Sequence, residues 1–163
     1  MIPLGYKDSD CHFPSLSFLL PFLTIKSYDA ATGRLVLSLQ DAPQVFSKFY
    51  TLQEMLLAAV SMNSLIPIRK GDEMRTGFQH LVRAMEMILY CPSQDTLSQA
   101  IQVYSNGTWT RGIQPGVLVP GARVRLAVRI QGISFHIHTT TGSWTGKFRF
   151  QHKILAIFTS PSS

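Results

Sequence analysis

The two-residue period that sets in after the first hundred residues constrains this chain more than any other feature. From residue 122 onward the apolar Val124, Leu126, Val128 and Ile130 alternate with Arg123, Arg125 and Arg129. Successive side chains of an extended backbone point to opposite faces, so this pattern specifies a strand with one buried face and one basic face. Gly132 marks a bulge or tight bend, after which Ile133, Phe135 and Ile137 alternate with Ser134, His136 and His138. Thr140, Thr141 and Gly142 then turn the chain into a segment where Phe148 and Phe150 alternate with Lys147 and Arg149, closing a hairpin. A second hairpin is expected over residues 100–113, because Asn106 and Gly107 tolerate the positive φ angles of a type I′ turn. A last apolar run covers residues 153–158.

The N-terminal half reads differently. Residues 1–15 mix Pro, Gly and Asp without periodicity and are expected to form a flexible arm, leaving 16–160 as one globular domain of ordinary size. Apolar runs over 18–28 and 34–39, joined by five residues ending in Gly33, predict a hairpin. Thr51 and Glu54 match a capping box ahead of a helix to residue 62. A second helix is expected from Asp72, its apolar face made by Phe78, Leu81, Val82, Met85, Ile88 and Leu89, and Pro92 ends it. The fold class implied is α+β: a single domain with an antiparallel, sandwich-like sheet packed against two or three helices.

Charge is distributed unevenly. The chain of 163 residues carries a formal charge of +6, but residues 1–95 hold eight Lys/Arg against all nine Asp/Glu, whereas residues 96–163 hold seven Lys/Arg and no acid. Solvated outer faces normally mix signs, so an acid-free basic strand face points to a polyanionic partner, either anionic membrane or nucleic acid. The candidate patch is Arg123, Arg125 and Arg129 with Lys147 and Arg149 on a neighbouring strand. The alternative is an ordinary solvated face.

Other constellations carry less. His136 and His138 share a strand face, yet the only further imidazole downstream is His152 and no carboxylate follows residue 95, so no metal is expected. Trp109, Trp144, Phe148 and Phe150 are read as core aromatics, with base stacking or interfacial insertion as the alternative. P-loop, GxGxxG and GxSxG signatures are absent, and Cys91 reads as a small buried hydrophobe, so neither catalysis nor a cofactor is expected. Cys11 and Cys91 form no CxxC pair, which fits a reducing compartment, and no leader or membrane-spanning run is read. Apolar residues beside Pro or Gly, namely Ile66, Pro67 and Ile68 and then Val117, Leu118 and Val119, are candidate self-association contacts.

The order of these segments resembles the globular domain of rhabdovirus matrix proteins, in particular the compact ones of plant-infecting members. The residues that carry the likeness are Phe22-Leu23-Thr24-Ile25-Lys26, the helices around Ile68-Arg69-Lys70-Gly71, and Val124 to Ile130 with the strand that follows; it covers roughly residues 18–140. A Lys-rich arm and a Pro-Pro-x-Tyr motif, found in animal-virus members, are missing from residues 1–15. The resemblance implies a virion structural protein that self-associates beneath the envelope, condenses the nucleocapsid through its nucleoprotein and RNA, and bridges it to anionic membrane and a glycoprotein tail. The alternative is a viral nucleic-acid-binding module of the silencing-suppressor or movement type.

Overall fold

A computed structural model of the chain describes residues 2–3, 6–7, 9, 12–13, 16–62, 78–91, 101–114, 116–142 and 144–160. In chain order the strands are β1 (Ile2–Pro3), β2 (Tyr6–Lys7), β3 (His12–Phe13), β4 (Leu16–Leu19), β5 (Leu23–Asp29) and β6 (Arg34–Ser38), followed by helix α1 (Pro43–Met62). The chain continues through β7 (Phe78–Gln79), β8 (Val82–Arg83), β9 (Glu86–Tyr90), β10 (Gln102–Ser105), β11 (Thr108–Arg111), β12 (Arg123–Ile137) and β13 (Trp144–Thr159). All strands but β2 and β3, which pair with each other, join one mixed sheet.

Its spine is the hairpin of β12 and β13, which alternation foretells, with its three register shifts falling at Ala127/Val128, Ile130/Gly132 and Phe135/Ile137. The shift beside Gly132 is the anticipated bulge. One edge of β12 is shared end to end by β1, β4 and β5. The facing edge of β13 takes β7 and β10, both parallel, so the expectation of a purely antiparallel sheet is corrected. Antiparallel pairing links β5 to β6, β6 to β9 and β9 to β8, and two residues join β8 to β7, so the chain, though not the ladder, returns to β13. These strands form one sheet that curls into an open ring around one core, with β9 brought beside β13 but not laddered to it. Leu35, Leu37, Leu89, Leu126, Ile130, Phe148, Phe150 and Ile157 fill it, each at most 2 % exposed. Each such side chain contributes about 1.5–3 kcal/mol of hydrophobic stabilisation.

The hairpins expected over 18–39 and 100–113 are present as β5–β6 and β10–β11, with Gly33, Asn106 and Gly107 at positive φ. The first expected strand, 18–28, is broken at Pro21 into β4 and β5. Pro21 has no N–H to donate to a ladder, so the chain leaves β12 there and rejoins it at Leu23.

Two helix expectations need correction. Helix α1 begins at Pro43, not Thr51, so Thr51 lies a full two turns inside it and caps nothing. Proline is favoured at a first helical position because its missing N–H has no intrahelical partner there anyway. Val45, Phe49, Gln53 and Leu57, spaced by four, form the buried face. The second helix is absent over residues 78–91, which form strands; its proposed cap at Asp72 and Glu73 lies outside the described residues. Its apparent three-to-four spacing arises because the chain reverses at Ala84 and Met85, adding two short buried runs on either side of a turn. Both turn residues adopt positive φ, 51° and 59°, without being Gly or Asn, so no residue type announced a turn. Among the described residues α1 is the single helix.

The joint between α1 and the sheet is polar. Gln53, 1 % exposed, donates from Nε2 to the Val82 carbonyl at 3.2 Å and accepts the Val82 N–H on Oε1 at 2.7 Å. Its amide thus stands in for a neighbouring strand on the outer edge of β8. Truncation leaves a buried donor and a buried acceptor unpaired, so Gln53→Ala is expected to lower the urea-unfolding free energy by about 2–4 kcal/mol.

Candidate functional site

Register decides where the C-terminal cations go. Val124, Leu126, Val128 and Ile130 are buried, which turns Arg123, Arg125 and Arg129 outward. Across the ladder Arg125 faces Phe158, Arg129 faces Lys153, and Arg149 faces Ser134. Lys147, Arg149 and Lys153 fall at even spacing, two and then four residues apart, along β13, and Arg111 reaches the same face through Gln102 and Ala156. All seven cations of the acid-free half thus share the outside of the ring. Lys153 was hidden in the sequence by the irregularity near Leu155, and Arg111 by its place in a short hairpin.

The candidates are not equivalent. Arg125 donates from Nε to the Leu20 carbonyl at 2.8 Å, and Arg123 reaches the Phe22 carbonyl at 3.3 Å. These are the carbonyls flanking Pro21, so both arginines tie down the interruption between β4 and β5. Arg129 has its Nε buried without a hydrogen-bond partner and stands directly opposite Lys153. Like charges paired across strands are destabilising. Lys147 is exposed, and the Arg149 guanidinium lies over the Tyr90 ring at 4.7 Å from its centroid.

Aromatic side chains divide between the two faces. Phe148 and Phe150 are core, as read from the sequence, but Trp109 is 50 % exposed, which corrects its assignment. It clusters on the outer face with Tyr104 and Phe158, at ring-centroid distances of 5.0 and 5.5 Å. Only the backbone of Trp144 is described. Val117 and Leu118 are partly buried against the core, whereas Val119 is 42 % exposed. Ile66, Pro67 and Ile68 lie outside the described residues.

The three histidines do not converge. His136 and His138 are exposed near one end of the spine, while His152 faces inward opposite Ile130 and accepts the Tyr90 N–H on Nε2 at 2.9 Å. No group of three potential metal ligands occurs among the described residues. Cys91 is fully buried, and burial pushes its thiol up to about 12, so it holds no reactive thiolate near neutral pH. No helix among the described residues is long and apolar enough to cross a membrane. Comparisons with protein families, curated proteins and solved structures find no match.

Two expectations follow. Arg125→Met is expected to cost about 1–3 kcal/mol in urea unfolding, because the Leu20 carbonyl loses a charged donor, while Lys147→Ala stays within about 0.5 kcal/mol. Burial first, and then the Arg149 charge, lower His152 from 6.5 to about 4. The unfolded chain therefore takes up a proton that the native state refuses. Stability is full above about pH 6.5 and declines as pH falls toward 4, and this decline should be smaller in His152→Gln, whose amide oxygen replaces the acceptor without titrating.

Proposed function

We propose that the protein is a structural, non-catalytic module that docks on an anionic membrane through the outer face of its C-terminal sheet and assembles with further copies of itself. The observation that carries this reading is the gathering of seven cations and no carboxylate from residues 96–163 onto one face, including the Arg129–Lys153 pair, whose repulsion an external anion relieves. Exposed Trp109 beside this field supplies an amphipathic ring of the kind favoured at a lipid interface. The resemblance to rhabdovirus matrix proteins extends the reading to a virion layer beneath the envelope, with nucleocapsid, RNA, membrane and a glycoprotein tail as partners.

A second reading has its own observation. Tyr104, Trp109 and Phe158 form an aromatic platform next to Arg125, an arrangement on which unpaired bases stack. It supports a single-stranded nucleic-acid-binding module.

Flotation with phosphatidylserine vesicles separates the two. The variant Arg111→Ala/Lys147→Ala/Lys153→Ala spares the arginines that brace Pro21, and at about 1 kcal/mol per base it is expected to weaken vesicle binding about a hundredfold. Wild-type flotation that the triple variant retains in full contradicts the docking face. Tight RNA binding in gel shift that is lost in Trp109→Ala, with no flotation, favours the second reading.

A further inference from the structure

The ring is incomplete at one point. β9 pairs with β6 and β8, and β13 pairs with β12, β7 and β10, so where β9 passes β13 no backbone ladder joins them. The Tyr90 N–H donates to His152 Nε2 across the gap, and the Arg149 guanidinium reaches over it to the Tyr90 ring. Beside it lies a cleft of about 280 Å³ floored by Phe78 and Phe150.

Its polar wall includes Arg34, Arg83 and Arg149, with Gln79, His80, Tyr90 and His152 between them. Three guanidiniums thus come from three separate elements: the start of β6, the end of β8 and the middle of β13. No carboxylate lines the cleft among the described residues. Neighbouring acids are engaged elsewhere: Glu86, opposite Arg83 in the ladder, is paired with Lys26, and Asp29, opposite Arg34, accepts the Ala31 N–H. Glu54 on α1 favours the charged form of His80, but burial and the Arg83 charge outweigh it and keep that imidazole neutral. The Tyr90 ring holds the Arg149 guanidinium in place before any ligand arrives.

We propose that this cleft binds the phosphoryl group of a small phosphorylated ligand, with Arg34, Arg83 and Arg149 as its anion-holding residues. A phosphoryl dianion offers three terminal oxygens and two charges, which matches three fork-shaped donors; a carboxylate, with two oxygens and one charge, leaves a guanidinium uncompensated. The volume accommodates a phosphate with a small attached group, and Phe78 and Phe150 give that group an apolar floor. The phosphoryl group belongs either to a lipid headgroup or to a free phosphate compound. This inference shares Arg149 with the docking face but stands apart from it through Arg34 and Arg83, which lie outside the acid-free half.

The test is a titration of the whole protein, at constant ionic strength, with inorganic phosphate and with a soluble glycerophosphoinositol phosphate, followed by the backbone amide shifts of Gln79 and Tyr90. Saturable shifts are expected, with affinity lowered at least tenfold in Arg34→Ala/Arg83→Ala and unchanged in Arg111→Ala. Both substituted arginines are exposed, so the double variant is expected to retain the native circular dichroism. Arg149→Lys, which keeps the charge but loses the fork, is expected to weaken binding as well. Tighter binding of the headgroup than of inorganic phosphate assigns the ligand to lipid, and equal or weaker binding assigns it to a free phosphate compound. Absence of saturable shifts with both probes, or undiminished affinity in the double variant, overturns the proposal.

Discussion

The pairing of β12 with β13 is the interaction on which the rest of the molecule depends. Two strands of 15 and 16 residues present far more edge than any other single strand here can cover. The outer edges are therefore tiled by short pieces: β1, β4 and β5 on one side, β7 and β10 on the other. Each junction between tiles needs a local solution. Arg125 and Arg123 hold the carbonyls around Pro21 at one of them, and the imidazole of His152 closes the space near another. Polar side chains here patch backbone that the ladder leaves unpaired, and Gln53 does the same for the free edge of β8.

This explains why the basic face is less uniform than its alternating sequence. Alternation reports which way a side chain leaves the strand, and for Arg123, Arg125, Arg129, Lys147 and Arg149 it reports that correctly. It carries no information about what stands beside the strand. Arg125 is occupied by a carbonyl from 105 residues earlier in the chain. Arg111 and Lys153, which no continuous alternation flagged, share the outer face with it. The arginines that brace Pro21 and the outward lysines are chemically alike in the sequence and become distinct only in the sheet.

The fold was legible to a similar degree. Strands with strict alternation, and the Asn106-Gly107 hairpin, were readable because period and turn chemistry agree. Residues 78–91 were not, because the reversal at Ala84 and Met85 uses residue types that normally avoid positive φ. Tertiary contact stabilises it: the Met85 carbonyl accepts the Leu39 N–H at 2.8 Å, and the Met85 side chain packs on the core. The arginine cleft was lost with the same misreading, since Arg83 and Gln79 sit on that segment. Helix α1 is legible but its start is not, because a capping pattern inside a helix looks the same as one at its end.

The strand path winds back until β9 passes β13 without a ladder, and along that path the outer face bends away from itself. Under the docking proposed above, one copy laid on a flat layer engages only part of this bent face at a time. Adhesion in that reading grows with the number of copies placed side by side, each adding a modest share through a raised local concentration of its neighbours. The proposal thus makes a curled sheet a weak anchor singly and a strong one in an array, coupling attachment to assembly without any change of conformation.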